Sequence, residues 1–368
     1  MSRGVENVRG LFFDHRDIEM AVSLNQILRL TIQIEGSRCN LSCRYCWSDH
    51  PGSSRRNMTM DEVRTIIRQS TALGVRSIVL TGGGEPLLDV SRVREVLSVC
   101  ESLGLWAVIF TNGTVVDAAL AEELKTFPVS IVAKLHALDD AETADWLAGQ
   151  TGAHDHMMAG IGSLLSHSWT EDKRLGCEAI IVRRNAEQLP AMWRWMRQHG
   201  IIPYFESPKR VGRARSMEEE EFLTPSEMGD VFSLLQEIDR REFNIDWLPK
   251  PPIAALGCDK WHYALYVSGS GDVYPCSGVF WPLGDLGRQT LKEIVESPVC
   301  RTVREVNSHL KGRCGDCVWN SCCYGCRADA YALTGDPFAE DAGCWFWKPM
   351  RASGADAVNR ADSEDEHE

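Results

Sequence analysis

No apolar run in this chain approaches the roughly 20 residues needed to cross a bilayer, and its opening residues lack a secretion signal. A cytoplasmic chain with no membrane partner is expected. Basic charge is also short: 39 Lys and Arg stand against 52 Asp and Glu, a net charge of −13. That balance disfavours non-specific attraction to phosphate backbones, so no nucleic-acid partner is expected. The residues ahead of the first cysteine motif are too few for a peptide-binding accessory domain of about 80 residues.

Cysteine, in contrast, is plentiful, with 14 in 368 residues. In a large chain without an export signal, metal ligation or catalysis is a better reading than a disulfide framework. Three cluster at 39–46 and five at 314–326, with Cys258, Cys276 and Cys344 standing singly. Cys100, Cys177 and Cys300 sit apart and read as ordinary buried residues.

Cys39-Asn-Leu-Ser-Cys43-Arg-Tyr-Cys46 follows the run Leu28 to Glu35, in which Leu28, Leu30, Ile32 and Ile34 alternate with other residues. Such alternation predicts a strand, so the cysteines leave a strand end on a loop. Thiolates are soft ligands for iron–sulfur clusters or zinc. A four-iron cluster has four corners and this loop supplies three thiolates, leaving one iron for a non-protein ligand. A zinc knuckle, or a structural cluster with its fourth ligand elsewhere, is the alternative.

Beyond the loop, Thr59-Met-Asp-Glu62 predicts a capping box and a helix to about Leu73. Strand Ser77 to Thr81 leads to Gly82-Gly83-Gly84-Glu85-Pro86. A helix over about 90–103 precedes strand 106–110, which ends in Thr111-Asn112-Gly113. Helix 115–125, strand 129–135, helix 156–166, strand 177–182, helix 187–199 and strand 201–205 follow. Strand–helix alternation repeated about six times predicts an α/β fold with a parallel sheet, a partial (β/α)6 TIM-type barrel. Functional residues of such barrels gather at the C-terminal strand ends. The cysteine loop, the glycine turn and Thr111–Gly113 all lie there, as do Lys134, His136, Arg183, Asn185, Glu206 and Lys209. For each of these residues, a turn or a solvated surface charge is the alternative role.

Thr224-Pro-Ser-Glu227 predicts another capped helix, to about Arg241. Pro249, Pro251 and Pro252 then mark a boundary. Tyr263–Val267 and Asp272–Cys276 read as a hairpin with Cys258 and Cys276 at its outer ends. Cys314-Gly-Asp-Cys317, Cys323-Tyr-Gly-Cys326 and Cys344 follow. The expected division is an extension at 1–27, the barrel at 28–215, a bridging helix and linker at 216–256, a cysteine-rich module with short helices at 257–350, and a disordered acidic tail at 351–368.

CxxxCxxC with an aromatic, Tyr45, before its last cysteine resembles the signature of the radical S-adenosylmethionine (SAM) enzymes. The glycine turn resembles that family's GGEP motif, and the C-terminal cysteines resemble the SPASM domain of one of its subgroups. The resemblance spans about 28–348. It implies SAM and [4Fe–4S] clusters, one SAM-binding and two auxiliary. It implies that Cys39, Cys43 and Cys46 hold the cluster whose electron cleaves SAM to a 5′-deoxyadenosyl radical. Gly82, Gly83, Gly84, Glu85, Pro86, Thr111 and Asn112 would contact SAM; Tyr45, Lys134, His136 and Arg183 are further cofactor candidates. By analogy, Cys314, Cys317, Cys323 and Cys344 hold an outer auxiliary cluster, and Cys258, Cys276 and Cys326 an inner one. The tandem Cys322-Cys323 leaves that ligand choice ambiguous, and Cys322 is a speculative hydrogen donor.

The resemblance implies oxidation or epimerisation of a sugar, aminoglycoside or peptide, with a reductant such as flavodoxin or ferredoxin. The run from Cys323 to Asp336 looks especially like the haem-biosynthesis branch, so a tetrapyrrole enzyme is the alternative. A non-catalytic iron–sulfur electron carrier is the reading from another class.

Overall fold

The computed structural model describes residues 6–34, 38–47 and 57–349. The acidic tail at 351–368 lies outside them.

Seven parallel strands form most of one sheet. They are β1 (Arg29–Ile32), β2 (Ser77–Leu80), β3 (Trp106–Thr111), β4 (Val129–Lys134), β5 (Leu175–Ile180), β6 (Ile202–Glu206) and β7 (Ala264–Val267). Two short antiparallel strands, β8 (Asp272–Tyr274) and β9 (Gly284–Asp285), extend it. The spatial order is β6-β5-β4-β3-β2-β1-β7-β8-β9. Strands β1 to β6 therefore lie in sequence order, as a partial barrel of right-handed crossovers requires.

Residue identity follows the two-residue period of a strand. Ile78, Leu80, Ala107, Ile109, Ile131 and Ala133 face outward into the main core under the helices. Val79, Val108 and Val132 point inward, where Val8, Leu11 and Ile253 pack on them. Residues on both faces are buried, which explains the near-continuous β-branched runs.

Two helix starts agree with their sequence signals. Thr59 with Glu62 caps the helix Met60–Thr71, and Thr224 with Glu227 caps Pro225–Ile238, both as complete capping boxes. Gly74, just past the first of these, adopts a left-handed conformation. The helix expected from about residue 90 is Val90–Ser102, capped by Asp89.

Two helices go beyond the sequence expectations. His15–Ser23 lies in the stretch expected as an extension, and Ala141–Ala148 lies before Ala153–Ser166. The sequence does carry a signal for the second: Asp140 accepts from the Thr143 amide and Gly149 ends the helix at φ 66. The predicted hairpin is present as β7 and β8, with Cys258 before it and Cys276 after it. Unexpected is the parallel pairing of β7 with β1, from Arg29 opposite Ala264 to Ile32 opposite Val267. The C-terminal module thus continues the barrel sheet.

Candidate active site

The C-terminal ends of β1 to β6 open on one cavity of about 530 Å³. Cys39, Cys43 and Cys46 line it from the β1 side. Their loop is held by the helix Ala141–Ala148: the Ser42 amide donates to the Ala148 carbonyl (3.1 Å) and the Arg44 amide to that of Leu147 (2.9 Å).

Gly84 supplies another clamp. A Cβ at this position would lie 2.0 Å from the Arg38 carbonyl oxygen, so only glycine lets the β2 exit approach the cysteine loop. The Glu85 amide donates to that same carbonyl at 3.0 Å. Glu85 itself is buried. Its carboxylate accepts from Thr111 Oγ1 (2.6 Å), from the Asn112 amide (2.7 Å) and from the Leu87 amide (3.0 Å). Burial raises its pKa and these bonds partly offset the shift. Asn112 Nδ2 donates to Asn40 Oδ1 at 2.8 Å, tying the β3 exit to the cysteine loop. Gly82, Gly83, Gly84, Glu85, Thr111 and Asn112 all reach the cavity wall.

Tyr45 is buried and its Oη lies 2.7 Å from His136 Nε2. His136 is fully buried, and desolvation, helped by the positive charge of Lys134, lowers its pKa to about 3. It is therefore a neutral partner that orients Tyr45. Lys134 reaches the cavity, ion-paired with Glu178 at 2.5 Å. Glu206 and Lys209, at the β6 exit, pair at 3.2 Å and line the same wall.

The opposite wall carries Cys258, Cys276 and Cys326, with Tyr324 Oη 3.4 Å from Cys258 Sγ. A separate, smaller cleft is lined by Cys314, Cys317, Cys323 and Cys344 with Trp319 and Phe346. Backbone amides of Asp341 and Gly325 donate to Cys314 Sγ (3.3 Å) and Cys323 Sγ (3.4 Å), and Arg327 Nη2 to Cys314 Sγ (3.6 Å). Seven cysteines thus divide into three facing the cavity and four in the cleft.

The donor chemistry fits clusters. Among the described residues, no three His, Cys, Asp or Glu side chains converge tightly enough for a single metal ion. A four-iron cluster takes its thiolates at separate iron corners, and three cysteines line each cavity wall and four the cleft, numbers that such clusters accept. Burial, reinforced by the neighbouring thiols, raises the Cys43 pKa to about 12, so a cationic partner is needed to hold it as a thiolate.

A family model for the radical SAM superfamily matches residues 36–170, and one for the SPASM iron–sulfur cluster-binding domain matches 258–318. The chain belongs to the radical SAM superfamily. It is a SPASM-domain radical SAM enzyme, and its cofactors are SAM and [4Fe–4S] clusters. It is 27% identical over 338 residues to an AdoMet-dependent heme synthase of Methanosarcina barkeri, covering 84% of this chain and 93% of the relative. It is 25% identical to an Fe-coproporphyrin III synthase of the same organism, over 84% of this chain and 86% of the relative. The solved structure of native anSMEcpe with bound AdoMet shares the fold with a TM-score of 0.68, at 16% identity, covering 86% of this chain and 93% of that one.

Within this radical SAM enzyme several expected residues sit elsewhere. Arg183 lies outside the cavity, its guanidinium bound to Glu227 at 2.7 Å, because a short 3-10 turn carries it out to the capped helix Pro225–Ile238. Asn185 is buried and donates to the carbonyls of His136 and Ile180, a structural role. Pro86 opens the 3-10 turn Pro86–Asp89 and is buried behind the wall. His136 touches Tyr45 rather than the cavity. Cys322 is exposed and lines neither space, so it is not placed to return hydrogen to a bound substrate. Sequence reasoning missed Glu178 and Lys260 in the cavity wall. Glu178 could have been found as a charge inside an otherwise apolar strand.

Proposed function

We propose that this enzyme modifies a peripheral side chain of a tetrapyrrole. The observation that carries the reading is the pair of relatives named for heme and for iron coproporphyrin III, each matched over most of both chains. The sugar or peptide reading has weaker support, because the likeness to anSMEcpe is one of fold. Epimerisation would also need a hydrogen donor in the cavity, and Cys322 is outside it.

Cys39, Cys43 and Cys46 hold the SAM-binding cluster in this proposal, which when reduced supplies the electron that cleaves SAM and so yields the hydrogen-abstracting radical. Gly82–Glu85 bind SAM through the β2 exit. Thr111 and Asn112 steady Glu85, and Tyr45 with His136 sets the cysteine loop. Cys258, Cys276 and Cys326 hold the inner auxiliary cluster and Cys314, Cys317, Cys323 and Cys344 the outer one. A flavodoxin- or ferredoxin-type reductant and a cytoplasmic setting belong to the same reading; among the described residues no helix is long and apolar enough to cross a membrane.

Anaerobic reconstitution with iron, sulfide, SAM and dithionite, with and without iron coproporphyrin III, tests it. The expected result is 5′-deoxyadenosine formation stimulated by the tetrapyrrole, together with a change in the tetrapyrrole's mass. Formation that ignores the tetrapyrrole and leaves its mass unaltered would reject the reading.

A further inference from the structure

The chain as a whole is acidic, yet its cavity is not. Six basic side chains reach the wall: Arg29, Lys134, Lys209, Arg213, Lys260 and Arg327. Only three acidic ones do: Glu85, Glu178 and Glu206. In a molecule of net charge −13 that excess stands out, although the thiolates of the six cysteines lining the same cavity would offset part of it with clusters bound.

Most of those cations have partners in the protein. Arg29 donates to the Leu11 carbonyl, and Arg327 to the carbonyls of Pro337 and Ala339. Lys134 is paired with Glu178, and Lys209 with Glu206 and the Ser207 carbonyl. Arg213, in the 3-10 turn Gly212–Ser216, has its backbone amide on the Cys46 carbonyl at 2.9 Å and its positive charge near Cys39.

Lys260 differs. Its ammonium bonds Tyr204 Oη, a neutral group, at 2.9 Å, and stands over the rings of Tyr204 (5.6 Å) and Phe12 (5.8 Å). Among the described residues no carboxylate lies within ion-pair reach of it. Burial works against the charged form of Glu206, but the positive charges of Lys209, Lys260 and Lys134 lower its pKa, so three ammonium groups share that carboxylate and Lys260 reaches it only through the longer-range field. Lys260 follows Cys258 by two residues, and Tyr204 lies on β6, so the ammonium stands beside the Cys258 wall on the β6 side of the cavity.

We infer that Lys260 is a specificity-determining residue that binds a carboxylate of the substrate in this cavity. The identity of the carboxylate rests on the tetrapyrrole reading; the anion site itself does not. An ammonium donating to an incoming carboxylate through a low-dielectric cavity forms a charge-assisted hydrogen bond. The rival role is structural, the stem packing on Phe12 and Tyr204, and it is blind to the ligand's charge.

The test uses the reconstituted holoenzyme and two variants, Lys260→Met and Lys260→Arg, checked by iron content and circular dichroism. Binding of iron coproporphyrin III and of its tetramethyl ester is followed by absorbance titration. Lys260→Met should weaken binding of the acid about tenfold, the size of one charge-assisted hydrogen bond, and leave the ester unchanged. Lys260→Arg should restore the acid. Unaltered binding of the acid by Lys260→Met, or equal loss for acid and ester, overturns the inference. If neither porphyrin binds the parent enzyme, the tetrapyrrole reading fails, and a second probe pair decides the anion site. Anilinonaphthalene sulfonate is then compared by fluorescence with neutral phenylnaphthylamine. A preference for the sulfonate that disappears in Lys260→Met supports the site. A preference that survives in Lys260→Met, or is missing from the parent enzyme, refutes it.

Discussion

Tyr45 could be recognised from its place in the cysteine motif, but its role depends on His136, a residue 91 positions away. His136 is neutral in the folded state, with a pKa lowered from 6.5 to about 3 by burial and by Lys134. The unfolded chain binds a proton near pH 6.5 and the folded chain does not, so stability falls as pH drops below that value and continues to fall towards pH 3. Between about pH 7.5 and 5.5 the parent protein should lose about 1.4 kcal/mol more than His136→Phe, measured by urea unfolding at each pH. Equal losses would mean that His136 titrates normally. Glu85 is the other decisive side chain. Glu85→Gln turns an amide donor towards groups that already donate, and should destabilise by about 1–3 kcal/mol in denaturant melts. The tandem cysteines can be separated by counting iron. Cys323→Ser should lower the iron content and Cys322→Ser should not, since Cys323 lines the four-cysteine cleft and Cys322 is exposed.

Local pattern succeeded where the interaction was itself local. The capping boxes at Thr59 and Thr224 join residues three apart, and both helices begin where those residues indicate. It failed for Ala141–Ala148, a short helix whose purpose is to hold the cysteine loop by its carbonyls. Gly212 belongs to the same scale of organisation. It is left-handed at φ +57, and an added Cβ would stand 2.3 Å from the Cys46 carbonyl oxygen. Gly212→Ala should displace the cysteine loop and lower SAM cleavage about 100-fold, the order expected when catalytic parts shift by about an ångström. Gly104→Ala is the control: its φ is +68, with nothing within 4 Å of the added Cβ. It carries the same backbone penalty without touching the loop, so 5′-deoxyadenosine assays on both variants separate strain from displacement.

The pairing of β7 with β1 makes barrel and cysteine-rich module one sheet. A chain cut after residue 256 would bare the hydrogen-bonding edge of β1 and lose the wall bearing Cys258, Cys276 and Cys326. It should aggregate and cleave no SAM, as judged by soluble yield and product assay. Replacing Cys314, Cys317 and Cys323 together with Ser should instead leave SAM cleavage uncoupled from substrate turnover. By itself the sequence determined the ligand types and their spacings, the helix caps, the order of strands β1 to β6 and the superfamily chemistry. These follow from neighbours along the chain, whose distances covalent geometry nearly sets. Only the tertiary structure decided that Cys258, Cys276 and Cys326 share one cavity with the Cys39–Cys46 loop, that Arg183 and Cys322 stand apart from it, and that more basic than acidic side chains line the cavity of an acidic protein. Those are contacts between residues tens to hundreds of positions apart, and strand pairing and core packing, which no short window contains, select them.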